Sequence, residues 1–208
     1  MTERVELPIG TATGRLVATG ACLVGLVGSA AVAVRQPVPA WELRMTEWIN
    51  DVPDAAATAL YPIMQLGTLG GPLIVAAGIL AFRRDRLLAA ATVGAGFVAW
   101  FGAKGVKRLV ARDRPGSYLP EILIREGDGS GLGFVSGHSA VAATAAVLAI
   151  AATPPGWRWV AAALAGLVGV ARIVHGVHLP ADVIGGWSFG ILIGLGTLEL
   201  VGLRSSAS

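Results

Sequence analysis

Residues 83–115 read RRDRLLAAATVGAGFVAWFGAKGVKRLVARDRP. A charged block, Arg83-Arg84-Asp85-Arg86, gives way to an apolar run over 87–106. That run has the length of one bilayer-crossing helix, about 20 residues. It then meets Lys104, Lys107, Arg112 and Arg114 in quick succession. A charge at the end of such a helix either reaches out to the membrane surface or serves a site, because leaving it unpaired in hydrocarbon is costly.

The same grammar extends along the chain. Of its 208 residues 54% are hydrophobic and 14% charged, well below the roughly 25% charged of a soluble domain. Mean hydropathy is +0.69. Buried core helices of a large soluble enzyme are the competing reading, but several runs approach bilayer length. The fold class expected is all-α: a polytopic membrane helical bundle of about six spans. It forms one domain over 1–208, with a motif core at 104–185. The spans are placed at about 16–34, 60–82, 87–106, 138–153, 157–174 and 181–202. Pro154-Pro155 stops the fourth, and Pro180 opens the last at a favoured first-turn position. Ala31-Val32-Ala33 could be read as a signal-peptidase site; the long apolar stretch before it favours a retained helix.

The positive-inside rule puts Arg4, Arg15, Arg83, Arg84, Arg86, Arg158 and Arg204 on the cytoplasmic side, with the N-terminus. The expected location is the cell membrane, multi-pass, with Arg35, Arg44, Arg125 and the motif cations, and so the active site, on the outer face. A net charge of +3 and a pI near 9.6 come without a basic block interleaved with aromatics, so nucleic acid is not expected as a partner. Cys22 is the only cysteine, which excludes an intramolecular disulfide or a Cys-based metal site. The three histidines all lie near the motifs, leaving none for a separate structural zinc.

Other segments keep two readings. Around 36–56, Trp41, Leu43, Trp48 and Ile49 suit an interfacial helix or an outer loop with a tryptophan belt. The Gly- and acid-rich loop 116–133 reads as a gate or as a connector. Gly186, Gly190 and Gly194 recur every four residues in the last span, a spacing that packs helices within one bundle or makes a homodimer contact.

Three short motifs carry the chemistry. In the last, Arg172-x5-His178-x3-Asp182, the carboxylate falls in the first turn of a helix, where the dipole favours it. From there it can reach back to His178 and fix the ring's tautomer, leaving the other nitrogen as a nucleophile. A plain His–Asp helix cap is the structural alternative. In Ser136-Gly137-His138, backbone N–H groups at a helix start can bind an anion, Gly137 allows close approach, Ser136 adds a hydroxyl, and His138 can protonate a leaving oxygen. An ordinary Ser N-cap is the alternative there. Lys107 and Arg114 offer a point charge and a bidentate fork for phosphate oxygens. Lys104 and Arg108 read as snorkelling cations, Arg112 as a local partner of Asp113, and His175 as incidental.

Taken together, KRLVARDRP (107–115), VSGH (135–138) and ARIVHGVHLPAD (171–182) resemble the motifs of the type-2 phosphatidic acid phosphatase superfamily, membrane relatives of the vanadium haloperoxidases. Two positions depart: Val135 stands where the family has Pro, and Ala171 where it has Ser. The resemblance implies a lipid phosphatase needing no metal and no cofactor. Its substrate would be a lipid phosphate held at the bilayer: polyprenyl pyrophosphate, phosphatidic acid or phosphatidylglycerol phosphate. It implies catalytic roles for His178, His138 and Asp182, and phosphate binding by Lys107, Arg114, Ser136, Gly137 and Arg172. His178 would form a phosphohistidine. A non-catalytic phospholipid binder or transporter, and a vanadate-dependent oxidase, are alternatives built on the same cationic pocket.

Overall fold

The computed structural model describes residues 12–207, with side chains from 13 to 202. Arg4 and the Arg204 side chain, both counted above as cytoplasmic cations, lie outside the described residues, as do the side chains of the Ser205–Ser208 tail. Among the described residues eight α-helices follow in order: α1 Ala12–Ala33, α2 Ala40–Asn50, α3 Asp54–Met64, α4 Gly70–Phe82, α5 Arg86–Val110, α6 Gly137–Ala152, α7 Arg158–Val174 and α8 Pro180–Ala207. The extended pairing among the described residues is limited to one isolated bridge, Asp113 with Leu132.

Among the described residues four helices are long and apolar enough to cross a membrane, and five if α3 and α4 count as one bent span. The fourth expected span, over 138–153, is α6, which has 16 residues, about 24 Å of helix against a hydrocarbon core of about 30 Å. It is the central helix, touching α4, α5, α7 and α8. Ala140, Ala142, Ala143 and Ala145 are all buried in it. A helix surrounded by protein on every side shows no polar face, and small side chains let its neighbours approach. On α8 the glycine stripe serves that approach. A methyl group at Gly190 would collide with the Ala140 carbonyl oxygen, and one at Gly186 would sit 2.6 Å from that of Ser136. The stripe is therefore consumed inside the chain, against α6.

The span expected over 60–82 is instead broken, with α3 and α4 bent by 68°. The reason is local. A 3-10 turn, Gln65–Gly67, ends α3. Thr68 Oγ1 donates to the Gln65 carbonyl and accepts from the Gly70 amide, and Pro72 sits in the first turn of α4, where its missing N–H is not needed. The break carries Gly67 against the start of α6, so closely that a Cβ there would lie 2.7 Å from His138 Cβ.

Between 36 and 56 the helical reading holds, with Trp41 and Trp48 outward and Leu43 and Ile49 half-buried. Glu42, Thr46 and Asn50, spaced by four, face inward and are buried, while Trp41, Met45 and Trp48 are exposed. That outer face also carries exposed Arg44 and Glu47, and its mixture of tryptophans and charges on a short helix at the bundle's end suits the membrane interface. At the opposite end Arg15 pairs with Glu199 (2.8 Å), joining the start of α1 to the end of α8.

Candidate active site

The chain runs up α5, down α6, up α7 and down α8, so the end of α5, the start of α6, the end of α7 and the start of α8 meet at one end of the bundle. Each motif occupies one of these termini or the loop beside it.

The start of α8 holds the first pair. Pro180 is its first residue, and Asp182 reaches back: Oδ2 accepts from the Leu179 amide at 2.9 Å and faces His178 Nδ1 at 3.3 Å. The carboxylate thus caps the helix and faces the ring with the same oxygen. His178 is 2% exposed and Asp182 0%. Burial, then the charges of Lys107, Arg172 and Arg114 and the nearby His138, push the His178 imidazole well below its ordinary range. The ring is therefore neutral, with Nε2 as the nitrogen turned from Asp182. The same influences place it within electrostatic reach of all three motif cations and the second histidine.

Ser136 caps α6, its hydroxyl accepting from the Ser139 amide (3.4 Å) and hydroxyl (2.9 Å). The cap reading holds here, and the Ser136 hydroxyl hydrogen remains to be donated. The Ser136 amide donates to the Asp182 carbonyl at 2.8 Å, which ties the starts of α6 and α8 together. Gly137 is not required by packing: an added Cβ would meet only ordinary contacts, near 3.9 Å. His138 stands edge-on to Trp100, ring centroids 5.8 Å apart.

Lys107, near the end of α5, is less mobile than a lone point charge. Its ammonium donates to the carbonyls of Leu132 (2.6 Å) and Gly133 (2.8 Å), leaving one N–H free. Beyond it α5 ends at Ala111 in the left-handed region (φ 53°), a conformation costing an alanine about 1–2 kcal/mol. That turn directs Arg112 inward. Arg112 does not pair with Asp113 as expected; its guanidinium bonds Glu42 of α2 and Asp182. Arg172 pairs with Glu126 of the 116–133 loop. The loop is held rather than free: Asn50 bonds Leu123, and Arg125 bonds the carbonyls of Asn50, Val52 and Val174.

Arg114 Nε, Arg172 Nε and His138 Nε2 are buried with no hydrogen-bond partner among the described residues, as is Arg112 Nε. Each buried orphan costs about 1–3 kcal/mol. Three of the four belong to motif residues from three separate elements. Those three donors suit the oxygens of a tetrahedral anion.

His175 serves the fold: its Nδ1 lies 2.8 Å from the Ala171 carbonyl and its ring tilts against Tyr61. Lys104 lies over the rings of Trp100 and Phe101, consistent with an interfacial cation. Val135 and Ala171, the two departures, are both fully buried. Sequence reading passed over Glu42 and gave Glu126 no role. The signal for Glu42 was its spacing with Thr46 and Asn50 on one face of a tryptophan-bearing segment.

Comparison with known proteins follows the same lines. A family model described as the PAP2 superfamily matches residues 85–205. An undecaprenyl-diphosphatase of Sulfolobus acidocaldarius is 30% identical over 127 residues, covering 61% of this chain and 61% of that protein. A decaprenylphosphoryl-5-phosphoribose phosphatase of Mycolicibacterium smegmatis is 38% identical over 120 residues, 56% of this chain and 62% of that one. The match thus spans about three fifths of the length of each relative. Among solved structures, a transmembrane PAP2 type phosphatidylglycerolphosphate phosphatase from Bacillus subtilis shares the fold, with a TM-score of 0.71 at 21% identity over 91% of this chain and 96% of that chain. Aquifex aeolicus LpxE gives 0.69 at 22% identity over 77% and 96%. Motif order, helical architecture and the family match over more than half of the chain agree: this membrane protein belongs to the PAP2 superfamily.

Proposed function

We propose that the chain is an integral-membrane lipid phosphatase acting on a polyprenyl-linked phosphate or pyrophosphate at the outer face of the cell membrane. The observation that carries this reading is the set of orphaned, buried donors on Arg114, Arg172 and His138 beside a neutral His178 aligned by Asp182. Both curated relatives are named for polyprenyl substrates, which favours that lipid class over glycerophospholipids.

Lys107, Arg114 and Arg172, with the Ser136 hydroxyl and the Gly137 amide, hold the phosphoryl oxygens and offset charge in the transition state. Substrate must displace the Glu126 carboxylate from Arg172, an exchange of one anion for another. His178 Nε2 then attacks phosphorus. The N–P bond forms as the P–O bond to the leaving group breaks, and His138, protonated only once the phosphoryl anion lies beside it to offset the surrounding cations, passes its proton to the leaving oxygen. His138, now neutral, takes a proton from water; the water oxygen bonds phosphorus, the N–P bond breaks, and inorganic phosphate departs. No step in this sequence uses a metal.

Purified protein in detergent, assayed with chelator, is expected to release phosphate from a polyprenyl pyrophosphate or monophosphate faster than from phosphatidic acid or phosphatidylglycerol phosphate. Binding of these lipids without turnover would overturn the reading in favour of a carrier or transporter.

A further inference from the structure

Two residues that this chemistry leaves unused lie directly behind it. Glu42, on α2, is 0% exposed and Arg112, after α5, 2%. Arg112 Nη1 donates to Asp182 Oδ1 at 3.1 Å and to Glu42 Oε1 at 3.1 Å, while Nη2 donates to Glu42 Oε2 at 2.6 Å. Glu42 Oε1 also accepts from the Ala181 amide at 2.9 Å. A buried chain therefore runs from His178 through Asp182 and Arg112 to Glu42, reaching α2 from 70 residues away in sequence.

Charge counting shows why Glu42 matters beyond packing. Asp182 and Arg112 alone would sum to zero, and the guanidinium would cancel much of the carboxylate's pull on the imidazole. Adding Glu42 returns the cluster to a net charge of −1. When His178 takes a phosphoryl group on Nε2 and keeps its proton on Nδ1, the ring gains positive charge, which a net-negative cluster stabilises. Resting on the phosphatase reading above, we infer that Glu42 and Arg112 are positioning residues for the nucleophile: together they lock the Asp182 carboxylate toward His178 and preserve its negative charge there.

The groups acting on the ring are Asp182 from α8, Lys107 from α5, Arg114 after it, Arg172 from α7 and His138 from α6. Glu42→Gln removes one negative charge from behind them. In the full-length detergent-purified protein, Glu42→Gln is expected to lower kcat about 10–100-fold, the range known for groups that orient a ligand from behind, with KM within about twofold. The acid limb of the pH–rate profile should move to lower pH, because protonating the ring becomes harder. Glu42→Asp, which keeps the charge, should recover most of kcat and return the limb.

A Glu42→Gln enzyme with wild-type kcat and an unmoved limb would overturn the inference. So would a loss that disappears when rates are divided by the number of phosphorylatable sites. If Glu42→Gln does not fold, the double variant Glu42→Gln with Arg112→Met keeps the cluster at −1. It should show a wild-type acid limb with a kcat still lowered about tenfold through lost orientation, and a wild-type kcat there would sink the idea. These results differ from failure of the underlying reading, in which the unmutated protein itself releases no phosphate from any lipid.

Discussion

At one end of the bundle Arg83, Arg84 and Arg86 stand exposed around the start of α5. At the other, Arg112 and Arg172 are 2% and 4% exposed, alongside a fully buried Asp182 and Glu42. The residue types are the same. The first group can meet water and lipid headgroups, so position matters little. The second has given up hydration and depends on specific partners, and removing one member strands another in a low-dielectric setting. Clustered cations mark a membrane boundary in one place and the proposed reaction centre in the other, and burial is what separates the two.

The comparison breaks most visibly at His178. His178→Ala is expected to lower kcat by at least about 10³-fold and also to lower thermal stability, since it opens a cavity and takes a partner from buried Asp182; residual turnover near wild type in the folded variant would end the nucleophile assignment. Arg172→Lys keeps the charge but loses the fork; phosphate release should fall about 10²-fold, whereas equal rates would mean that charge alone is required there.

A smaller effect concerns pH. The His178 imidazole, held well below its ordinary range by burial and the surrounding cations, is already unprotonated at neutral pH. As pH falls, the rate should therefore hold through about 6.5, the usual imidazole midpoint, and decline only at more acid values. A decline centred at or above that midpoint would mean that the ring is better hydrated than the geometry implies. Least of all, Arg83→Ala at the opposite end should leave kcat unaltered and change stability by no more than about 0.5 kcal/mol, measured by thermal unfolding in detergent. A tenfold loss of rate there would erase the distinction between the ends.

Legibility in the sequence followed the range of the interactions concerned. The ends of α5, α6, α7 and α8 were readable to within a few residues, because apolar runs and their terminators Pro154-Pro155 and Pro180 act locally. His178 with Asp182 was readable for the same reason: four residues separate them, across one helix start. The break between α3 and α4 was hidden by the hydrophobicity of the whole 60–82 stretch, since hydropathy registers solvent preference and not backbone direction. Arg112 was misread because the neighbouring Asp113 offered a nearer carboxylate than Glu42, whose approach depends on how α2 folds over the bundle's end.

By itself, then, the amino-acid order determined a helical membrane bundle with histidines, arginines and a lysine stationed at the termini of its spans. Both properties arise from contiguous residues meeting lipid or water. Tertiary structure alone decided that Arg112 would bridge Glu42 to Asp182, that Glu126 would rest on Arg172, and that the helix break would bring Gly67 against His138. Such contacts join residues 46 to 71 positions apart, and which charges become mutual partners is chosen by packing once water has been excluded.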